Sequence, residues 1–399
     1  MRILSTGMEW VGRNPGGLNQ YFADYIAAMT GIGHIVNGFI MADGEEINKP
    51  SNIHDVMAYL GKGGTTGRMQ AFRRSVKMSL LGMRPEVFNP HFALYAMLID
   101  RRMLPPSVPI VTHFHGPWAD ESLIEGHGST SDTIRVWMKK RIETTTYQRS
   151  DAFIVLSEYF RDILTREYGI DQEFVHVIPG AVDTSRFVPA FNRDDVRQSL
   201  GIAPDDTLLF TARRLVRRMG IDRFISAFRI VQEHHPKARL CIAGDGYLRE
   251  ELAQQIKSLG LEHAVKLLGR VSADDFVKWY QAADLTVVPT IQLEGFGLVT
   301  VESLACGTPV IGTPVGGTKE ILQPFDERML FPDATSDGMA HHVNRILSGM
   351  LELPSREQCR NYAVHHYTWG RVSAKVTDVF EETVRRRKEA ERYAKDWVF

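Results

Sequence analysis

The amino-acid sequence predicts an α/β protein built from two doubly wound, Rossmann-like domains. Short apolar runs rich in β-branched residues, such as DLTVVPT at 284–290, alternate with amphipathic helical segments along both halves of the chain. The chain has 399 residues, whereas a single hydrophobic core stops growing at about 250–300 residues. This alternation favours parallel sheets covered by helices, and therefore two such sheets facing one cleft.

The composition is that of an ordinary globular protein, with 44% hydrophobic and 24% charged residues. A net charge of −1 offers no attraction to nucleic acid, so we expect no nucleic-acid partner. No apolar run approaches the ~18 residues of a spanning helix. Because a strand begins at residues 1–3, we expect no leader peptide. Cys241, Cys306 and Cys359 lie far apart in apolar segments and predict reduced, buried thiols in a cytoplasmic protein.

The most informative stretch is EGFGLVTVE at 294–302, which connects an apolar strand to a helix expected to begin near Gly297. Amides at a helix N-terminus attract phosphate. Glu294 and Glu302 flank this anion site, and their carboxylates would repel a phosphate unless they accept hydrogen bonds from other groups. The hydroxyls of a ribose and of a second sugar are suitable donors. The alternative interpretation is that Glu302 is a solvated glutamate on the helix surface and that the glycine turn only connects the strand to the helix. The residues expected to line the phosphate site are Phe296, Gly297, Leu298 and Val299.

This stretch, together with the following SLACGTPVI, resembles the signature of the retaining, nucleotide-sugar-dependent glycosyltransferases of the GT-B fold (glycosyltransferase family four, glycosyl transferases group 1). The resemblance is strong over 179–322 and weaker before it. It implies two Rossmann-like domains facing a central cleft and transfer of a sugar from a UDP- or GDP-linked donor with retention. It also implies that Glu294 holds hydroxyls of the donor sugar and that Glu302 holds the ribose hydroxyls.

The resemblance also implies a division of the chain into three segments. Residues 1–185 would bind the acceptor and residues 186–367 the nucleotide sugar, while the helices of 368–399 would cross back to the first domain. The turn-rich segment PGAVDTSRF at 179–187 is typical of the hinge between such domains.

Two motifs in the first half are candidates for ligand contact. Gly16 and Gly17 lie between a strand and a helix, where glycines let a phosphate approach the backbone closely, although a plain tight turn would also use them. His115 follows a strand in HFHGPW, at the sheet edge where such folds bind ligands. The resemblance places His115 against the donor sugar, while His91 and His113 are interpreted as structural.

Charge develops on the leaving phosphate during glycosyl transfer, so a metal or fixed cations must stabilise it. The sequence contains no Asp-x-Asp pair, and we predict a metal-free site without a cofactor beyond the donor. In TARRLVRRMG at 211–220, the resemblance aligns Arg214 with the phosphate-binding arginine of the motif GRL. The family lysine falls on Met219, which cannot bind phosphate. Either Arg217 or Arg218 replaces that lysine, Arg218 being the nearer candidate, or the site uses one cation fewer.

Two further loops follow strands of the second half. Gly244 and Gly246 in IAGDGYLRE resemble the family turn that makes room for the nucleotide. Arg270 in LLGRVS lies in the segment whose counterpart contacts the base.

A basic amphipathic helix is predicted over 68–84, with Met69, Phe72 and Val76 on one face. It could contact an anionic membrane near a glycolipid acceptor. The alternative is a core helix with a solvated basic face.

The sequence thus predicts a glycosyltransferase that acts on an acceptor hydroxyl of a carbohydrate or glycolipid, in glycan, polysaccharide or glycolipid biosynthesis. No side chain stands out as a base, and the leaving phosphate would take the acceptor proton. A sugar phosphorylase on the same scaffold and a non-catalytic sugar-binding homologue are the alternatives.

Overall fold

The computed structural model describes residues 1–14, 16–41, 48–56, 64–126 and 129–396. The chain divides into two compact units, one of Met1–Gly180 with Trp369–Phe399 and one of Ala181–Thr368. The predicted division, between 185 and 186, lies a few residues further along the chain.

The first unit contains parallel strands in two hydrogen-bonded groups, ordered β3-β2-β1-β4 and β5-β6-β7. A parallel bridge between Phe88 and Ile110 joins the two groups. The carboxyl ends of the strands therefore lie along one edge. The strands are β1 (Arg2–Glu9), β2 (Ile35–Met41), β3 (Ile53–Asp55), β4 (Val87–Pro90), β5 (Val111–Phe114), β6 (Ala152–Val155) and β7 (Val175–Val177).

Helices cover this sheet because each carries an apolar face that must be buried. In the first of them, Tyr21, Phe22, Tyr25 and Met29 are buried along one side, as the helical spacing predicts. The helices of residues 1–180 are α1 (Gly17–Gly31), α2 (Thr65–Gly82), α3 (Ala93–Ala96), α4 (Trp118–Glu125), α5 (Thr130–Tyr147) and α6 (Glu158–Tyr168).

Helix α2 is the basic helix, and it begins and ends slightly earlier than the predicted 68–84. Its apolar face is part of the core, since Met69, Phe72 and Val76 are buried and the Phe72 ring stacks on Tyr95 at 4.2 Å. Arg73, Arg74 and Lys77 are exposed. The core interpretation of the apolar face is therefore confirmed, and membrane contact of the basic face stays a prediction.

The second unit has a parallel sheet of strands ordered β10-β9-β8-β11-β12. The direction of winding reverses between β8 and β11, and ligands of doubly wound sheets bind outside the carboxyl ends at such a switch point. The strands are β8 (Thr207–Ala212), β9 (Ala238–Ala243), β10 (Val265–Gly269), β11 (Leu285–Val288) and β12 (Val310–Gly312).

The helices of the second unit pack on a core that includes Leu209, Phe224, Leu240 and Val287. Met219 belongs to this core and is 7% exposed. The helices are α7 (Arg193–Ser199), α8 (Ile221–His234), α9 (Arg249–Ser258), α10 (Ala273–Ala282), α11 (Leu298–Ala305), α12 (Gly316–Leu322), α13 (Ser336–Leu347) and α14 (Arg356–His366).

The last helix, α15 (Trp369–Asp396), belongs to the first unit. There Trp369 contacts Tyr21, with ring centroids 5.3 Å apart, and Thr377 Oγ1 lies 2.9 Å from His34 Nε2. Across the described ranges, no helix is both long enough and apolar enough to cross a membrane. All three cysteines are free and buried, which confirms the prediction of buried thiols.

Candidate active site

Three polar side chains meet at the switch point of the second unit. Arg213 directly follows β8, while Thr290 and Glu294 follow β11. Glu294 is 7% exposed. Its Oε2 accepts a hydrogen bond from Thr290 Oγ1 at 2.8 Å and another from Arg213 Nη2. Arg213 Nη2 also donates to Thr290 Oγ1, so the three side chains form a closed cluster.

Arg213 is a site residue that the sequence analysis missed. Burial and the nearby Arg218 lower its pKa to about 9, which still leaves the guanidinium charged at neutral pH. Arg213 occupies the position of the glycine in the family motif GRL, so alignment with the motif assigns the arginine role to Arg214 and none to Arg213. The only signal for Arg213 is a second arginine at the end of a buried strand.

The other arginines of this segment differ in their surroundings. Arg214 and Arg217 are exposed, whereas Arg218 is 7% exposed. Arg218 Nη1 donates to the carbonyl of Leu293 at 3.0 Å, and the Arg218 carbonyl accepts from the amide of Ile291 at 2.8 Å. Arg218 therefore holds the backbone that leads into Glu294. Its contact with a phosphate stays a prediction.

The backbone leading into Glu294 adopts an unfavourable conformation at Leu293. Its φ of 56° makes it the single non-glycine residue with positive φ in the described ranges. A side chain in the left-handed region costs free energy, and such residues persist where surrounding contacts hold them. The bond from Arg218 to the Leu293 carbonyl is one such contact.

Helix α11 begins where the sequence predicts. Gly297 is its N-cap, with a φ of 89° that favours glycine. Gly317 packs against the same turn, because a Cβ there would lie 2.3 Å from Phe296 Cα, and its amide donates to the Glu294 carbonyl at 2.9 Å. The first amides of a helix have no acceptor within the helix. The backbone at Leu298 and Val299 is thus suited to an anion.

Glu302 is a buried residue of α11, only 7% exposed, so the solvated alternative for it is wrong. Its Oε2 accepts a hydrogen bond from the hydroxyl of Tyr280 at 3.0 Å. Burial, and then the charge of Glu302, raise the pKa of Tyr280 well above its ordinary value, so the phenol remains a donor. Tyr280 is a second residue that sequence reasoning missed, because it lies in α10, far from the motif.

The turn at Gly244 and Gly246 supports the segment that carries the arginines. A Cβ on Gly244 would lie 1.9 Å from the Arg213 carbonyl oxygen, and one on Gly246 would lie 2.3 Å from that of Leu215. The chain's own backbone therefore fills the space that these glycines leave. Between them, Asp245 Oδ2 lies 3.4 Å from Nε of the exposed Arg270. Contact of this turn and of Arg270 with a nucleotide stays a prediction.

In the first unit, the structure brings three histidines together. His115 Nε2 lies 3.1 Å from His91 Nδ1, and the His91 and His113 rings stack with centroids 4.2 Å apart. Burial lowers the pKa of His115 to about 3. Burial, followed by the charges of neighbouring histidines, lowers the pKa values of His91 and His113 well below 6.5. All three are therefore neutral at physiological pH.

Gly16 and Gly17 form the start of α1. Gly16 is its N-cap in an extended conformation, and a Cβ on Gly16 would meet no atom of the described residues within 4 Å. Its carbonyl accepts from the amide of Gln20 at 2.9 Å. Pro15 lies outside the described residues. As far as the described part of the chain shows, the space around Gly16 is open, and phosphate contact at these two glycines stays a prediction.

Comparison with known proteins identifies the family. The family model described as Glycosyltransferase Family 4 matches residues 15–186, and the one described as Glycosyl transferases group 1 matches residues 192–366. The chain belongs to the GT-B glycosyltransferases. The two matches together extend over most of the glycosyltransferase and confirm the resemblance seen in the sequence.

Curated relatives of this glycosyltransferase carry different enzyme names. Mannosylfructose-phosphate synthase of Agrobacterium fabrum is 30% identical over 56% of this chain and 52% of its own length. A D-inositol 3-phosphate glycosyltransferase of Actinosynnema mirum is 27% identical over 92% of this chain and 94% of its own. The chain thus spans about half the length of the first relative and most of the second.

Solved structures show the same fold. Sucrose-phosphate synthase from Thermosynechococcus elongatus has a TM-score of 0.80 at 19% identity, with 96% of this chain and 99% of that chain covered. Anabaena HepE in complex with UDP and glucose has a TM-score of 0.73 at 20% identity, with 96% and 99% covered. These likenesses establish the GT-B fold of this glycosyltransferase.

Proposed function

We propose that this glycosyltransferase moves a sugar from a nucleoside-diphosphate sugar to an acceptor hydroxyl and retains the anomeric configuration. The observation that carries the proposal is the pair of buried carboxylates, Glu294 and Glu302, on either side of the N-terminus of α11. A buried carboxylate is stable only with hydrogen-bond donors around it. Sugar and ribose hydroxyls supply such donors beside a diphosphate held by helix amides.

Glu294 is arranged to act on the donor sugar. Its Oε2 is bonded to Arg213 and Thr290, which orients the carboxylate and leaves Oε1 for a hydroxyl of the ligand. Arg213 also favours the ionised carboxylate, because an adjacent cation stabilises the charged form. An ionised carboxylate only accepts hydrogen bonds, so its preferred ligand atom is a hydroxyl.

The diphosphate would lie against the amides of Leu298 and Val299, with Arg214 as a charged donor at the carboxyl end of β8. As the bond from the anomeric carbon to the outer phosphate breaks, these groups stabilise the charge on the leaving oxygen. The acceptor oxygen bonds to the anomeric carbon on the same face, and its proton passes to that leaving phosphate oxygen. The proposed reaction uses no metal ion and no cofactor besides the donor.

The comparisons support the choice of substrates. Anabaena HepE binds UDP, glucose and UDP-glucose, and several relatives are named D-inositol 3-phosphate glycosyltransferases. We therefore assign a UDP- or GDP-linked donor and a carbohydrate or glycolipid acceptor, with a role in glycan or glycolipid synthesis. If the acceptor is lipid-linked, a cytoplasmic enzyme could reach it by contacting the membrane through the basic face of α2.

A thermal-shift series tests the proposal. UDP, GDP, ADP and inorganic phosphate are added separately to the full chain without divalent metal, and a ligand that binds the folded state raises Tm. Stabilisation by one nucleoside diphosphate, followed by sugar transfer from the matching donor, is the expected result. Stabilisation by phosphate alone would indicate a phosphorylase. Nucleotide binding without transfer to any acceptor tried would favour the non-catalytic homologue.

A further inference from the structure

A chain of hydrogen bonds links the backbone of β5 to His115 through Asn89 and His91. Asn89 is fully buried at the carboxyl end of β4. Its Nδ2 donates to the carbonyl of Val111 at 2.6 Å and lies 2.9 Å from His113 Nδ1. Its Oδ1 lies 2.9 Å from His91 Nε2. Nδ1 of His91 in turn lies 3.1 Å from His115 Nε2.

The donor and acceptor of every hydrogen bond in this series follow from its first bond, the one between Asn89 and the Val111 carbonyl. A backbone carbonyl only accepts, so the amide nitrogen of Asn89 must face Val111 and its oxygen must face His91. His91 Nε2 therefore carries a hydrogen. In a neutral imidazole the other nitrogen is then bare, so His91 Nδ1 accepts the hydrogen of His115 Nε2. A neutral His115 consequently has a bare Nδ1.

The surroundings of the three imidazoles keep them neutral. Burial lowers the pKa values of all three histidines, that of His115 to about 3. The rings of His91 and His115 stack with centroids 5.2 Å apart and planes 24° from parallel. A proton added to His91 would place two N–H groups against each other. The tautomer of His115 is thus set by the fold and not by the solvent.

We infer that Asn89 and His91 are positioning residues that hold His115 as the Nε2–H tautomer, so that its bare Nδ1 accepts a hydrogen bond from a ligand hydroxyl. Within the described parts of the chain no donor meets this Nδ1, and His115 is half-buried just beyond the end of β5. A bare nitrogen repels phosphate and carboxylate oxygens. His115 therefore selects a hydroxyl group. That this hydroxyl belongs to the transferred sugar rests on the proposed function, whereas the tautomer does not.

The tautomer is measured directly by NMR. The full chain is labelled with 15N-histidine, and long-range proton–nitrogen correlations distinguish protonated from bare ring nitrogens. The chain has 14 histidines, so His115→Ala assigns the His115 signals by their loss. We expect a protonated Nε2 and a bare Nδ1 from about pH 5 to about pH 8. A protonated Nδ1, or an imidazolium in this range, overturns the inference.

Two substitutions of His91 separate the positioning role from simple packing. Glutamine can accept a hydrogen bond with its oxygen and donate one with its nitrogen. His91→Gln therefore preserves the donor and acceptor roles toward Asn89 and His115. His91→Leu fills the space but removes both bonds, and His115 should then populate both tautomers. His54→Leu, on the exposed His54 of β3, is the matched control. If His91→Leu does not fold, the wild-type spectrum and His91→Gln decide the tautomer.

Ligand binding tests the hydroxyl contact with UDP-glucose and UDP as probes. His115 in His91→Leu must first adopt the tautomer with a bare Nδ1, so the preference for UDP-glucose over UDP should fall by the reciprocal of that tautomer's population, about twofold for equal populations. His91→Gln and His54→Leu should stay close to wild type. An unchanged preference in His91→Leu overturns the hydroxyl contact. If neither probe binds the wild type, the UDP donor and the sugar contact both fail, and the NMR result alone decides the tautomer.

Discussion

Arg213 and Glu294 form a buried ion pair at the point where the strand order of the second unit reverses. Their side chains are 6% and 9% exposed. Burying two charges costs desolvation free energy that their attraction repays only with good geometry. The pair therefore contributes orientation at this site, because it directs one oxygen of Glu294 toward Arg213 and Thr290.

Arg213→Met should reduce the free energy of unfolding by about 3–5 kcal/mol, because it leaves the Glu294 carboxylate buried without its cation. Urea unfolding measures this change. The neighbouring, exposed Arg214 provides the control, and Arg214→Met should change stability by less than about 0.5 kcal/mol. Replacing both partners, as Arg213→Met with Glu294→Met, should recover part of the loss. Equal urea midpoints for the two single variants would contradict the ion pair.

The two glutamates should differ in what they bind. Glu294→Gln should lower turnover more than it weakens binding of a nucleoside diphosphate, because its proposed partner lies on the transferred sugar. Glu302→Gln should mainly weaken nucleotide binding, by roughly 1.5–3 kcal/mol for a charged hydrogen bond. Steady-state kinetics and calorimetric titration separate the two effects. The role assignments fail if both variants bind and turn over like wild type.

Arg218→Ala should reduce turnover about 10²–10³-fold if Arg218 contacts the leaving phosphate. The affinity for UDP or GDP decides how it acts. A phosphate contact predicts weaker nucleotide binding, whereas loss of the bond to the Leu293 carbonyl predicts slow turnover with unchanged nucleotide affinity. Arg217→Ala is the control, since an exposed arginine contributes little. Near-wild-type turnover in Arg218→Ala would exclude both roles.

Met219→Lys should not restore a phosphate contact. The Met219 side chain lies in the core, and an ammonium group buried there costs several kcal/mol without a partner. We therefore expect a lower Tm and no gain in turnover, in wild type or in Arg218→Ala. A gain in turnover would show that this position reaches the ligand.

The basic face of α2 should bind anionic vesicles if it contacts a membrane. Changing Arg73, Arg74 and Lys77 together to glutamine should abolish this binding while leaving the buried face of the helix intact. Vesicles with and without anionic lipid, in low and high salt, provide the measurement, because the attraction is screened by salt. If the wild-type protein does not bind anionic vesicles at low salt, membrane contact is excluded and α2 is only a core helix with a solvated basic face.

Glu143 should make stability pH-dependent. Buried in α5, it accepts from the amide of Trp118 at 2.7 Å and from the hydroxyl of Tyr168 at 2.9 Å. Burial raises its pKa from 4.5 to about 7. Between these values the folded state binds more protons than the unfolded state, so stability falls as pH rises.

The expected contribution of Glu143 is on the order of 3 kcal/mol. It is fully present below its unfolded pKa of about 4.5 and is lost as pH rises through about 7. Glu143→Gln removes the titration but keeps a hydrogen-bonding side chain. The Tm difference between wild type and Glu143→Gln should therefore shift in favour of the variant between about pH 5 and about pH 7.5. A constant difference over this range would contradict the raised pKa.

The features that the sequence predicted depend on neighbours along the chain. Apolar β-branched runs became strands because the period and length of such runs suit a buried parallel sheet. Gly297 was recognised as the start of α11 because a glycine-containing turn there joins an apolar strand to a helical segment, and its φ of 89° is one that glycine adopts readily. The family resemblance, which rests on motifs of this local kind, was confirmed by the two family models.

The partners of the site residues were decided by the tertiary structure alone. Which of two consecutive arginines enters the interior depends on how the segment after β8 packs against the turn at Gly244. Tyr280 reaches Glu302 across 22 residues of sequence, and Asn89 bridges to His113 across 24. The first pair arises where helices α10 and α11 lie side by side, and the second where parallel strands β4 and β5 bring distant residues to one edge. No local pattern encodes either pair. The sequence by itself therefore determined the class of fold and the motif of the candidate site, while only the packing of strands and helices decided which side chains hold that motif in place.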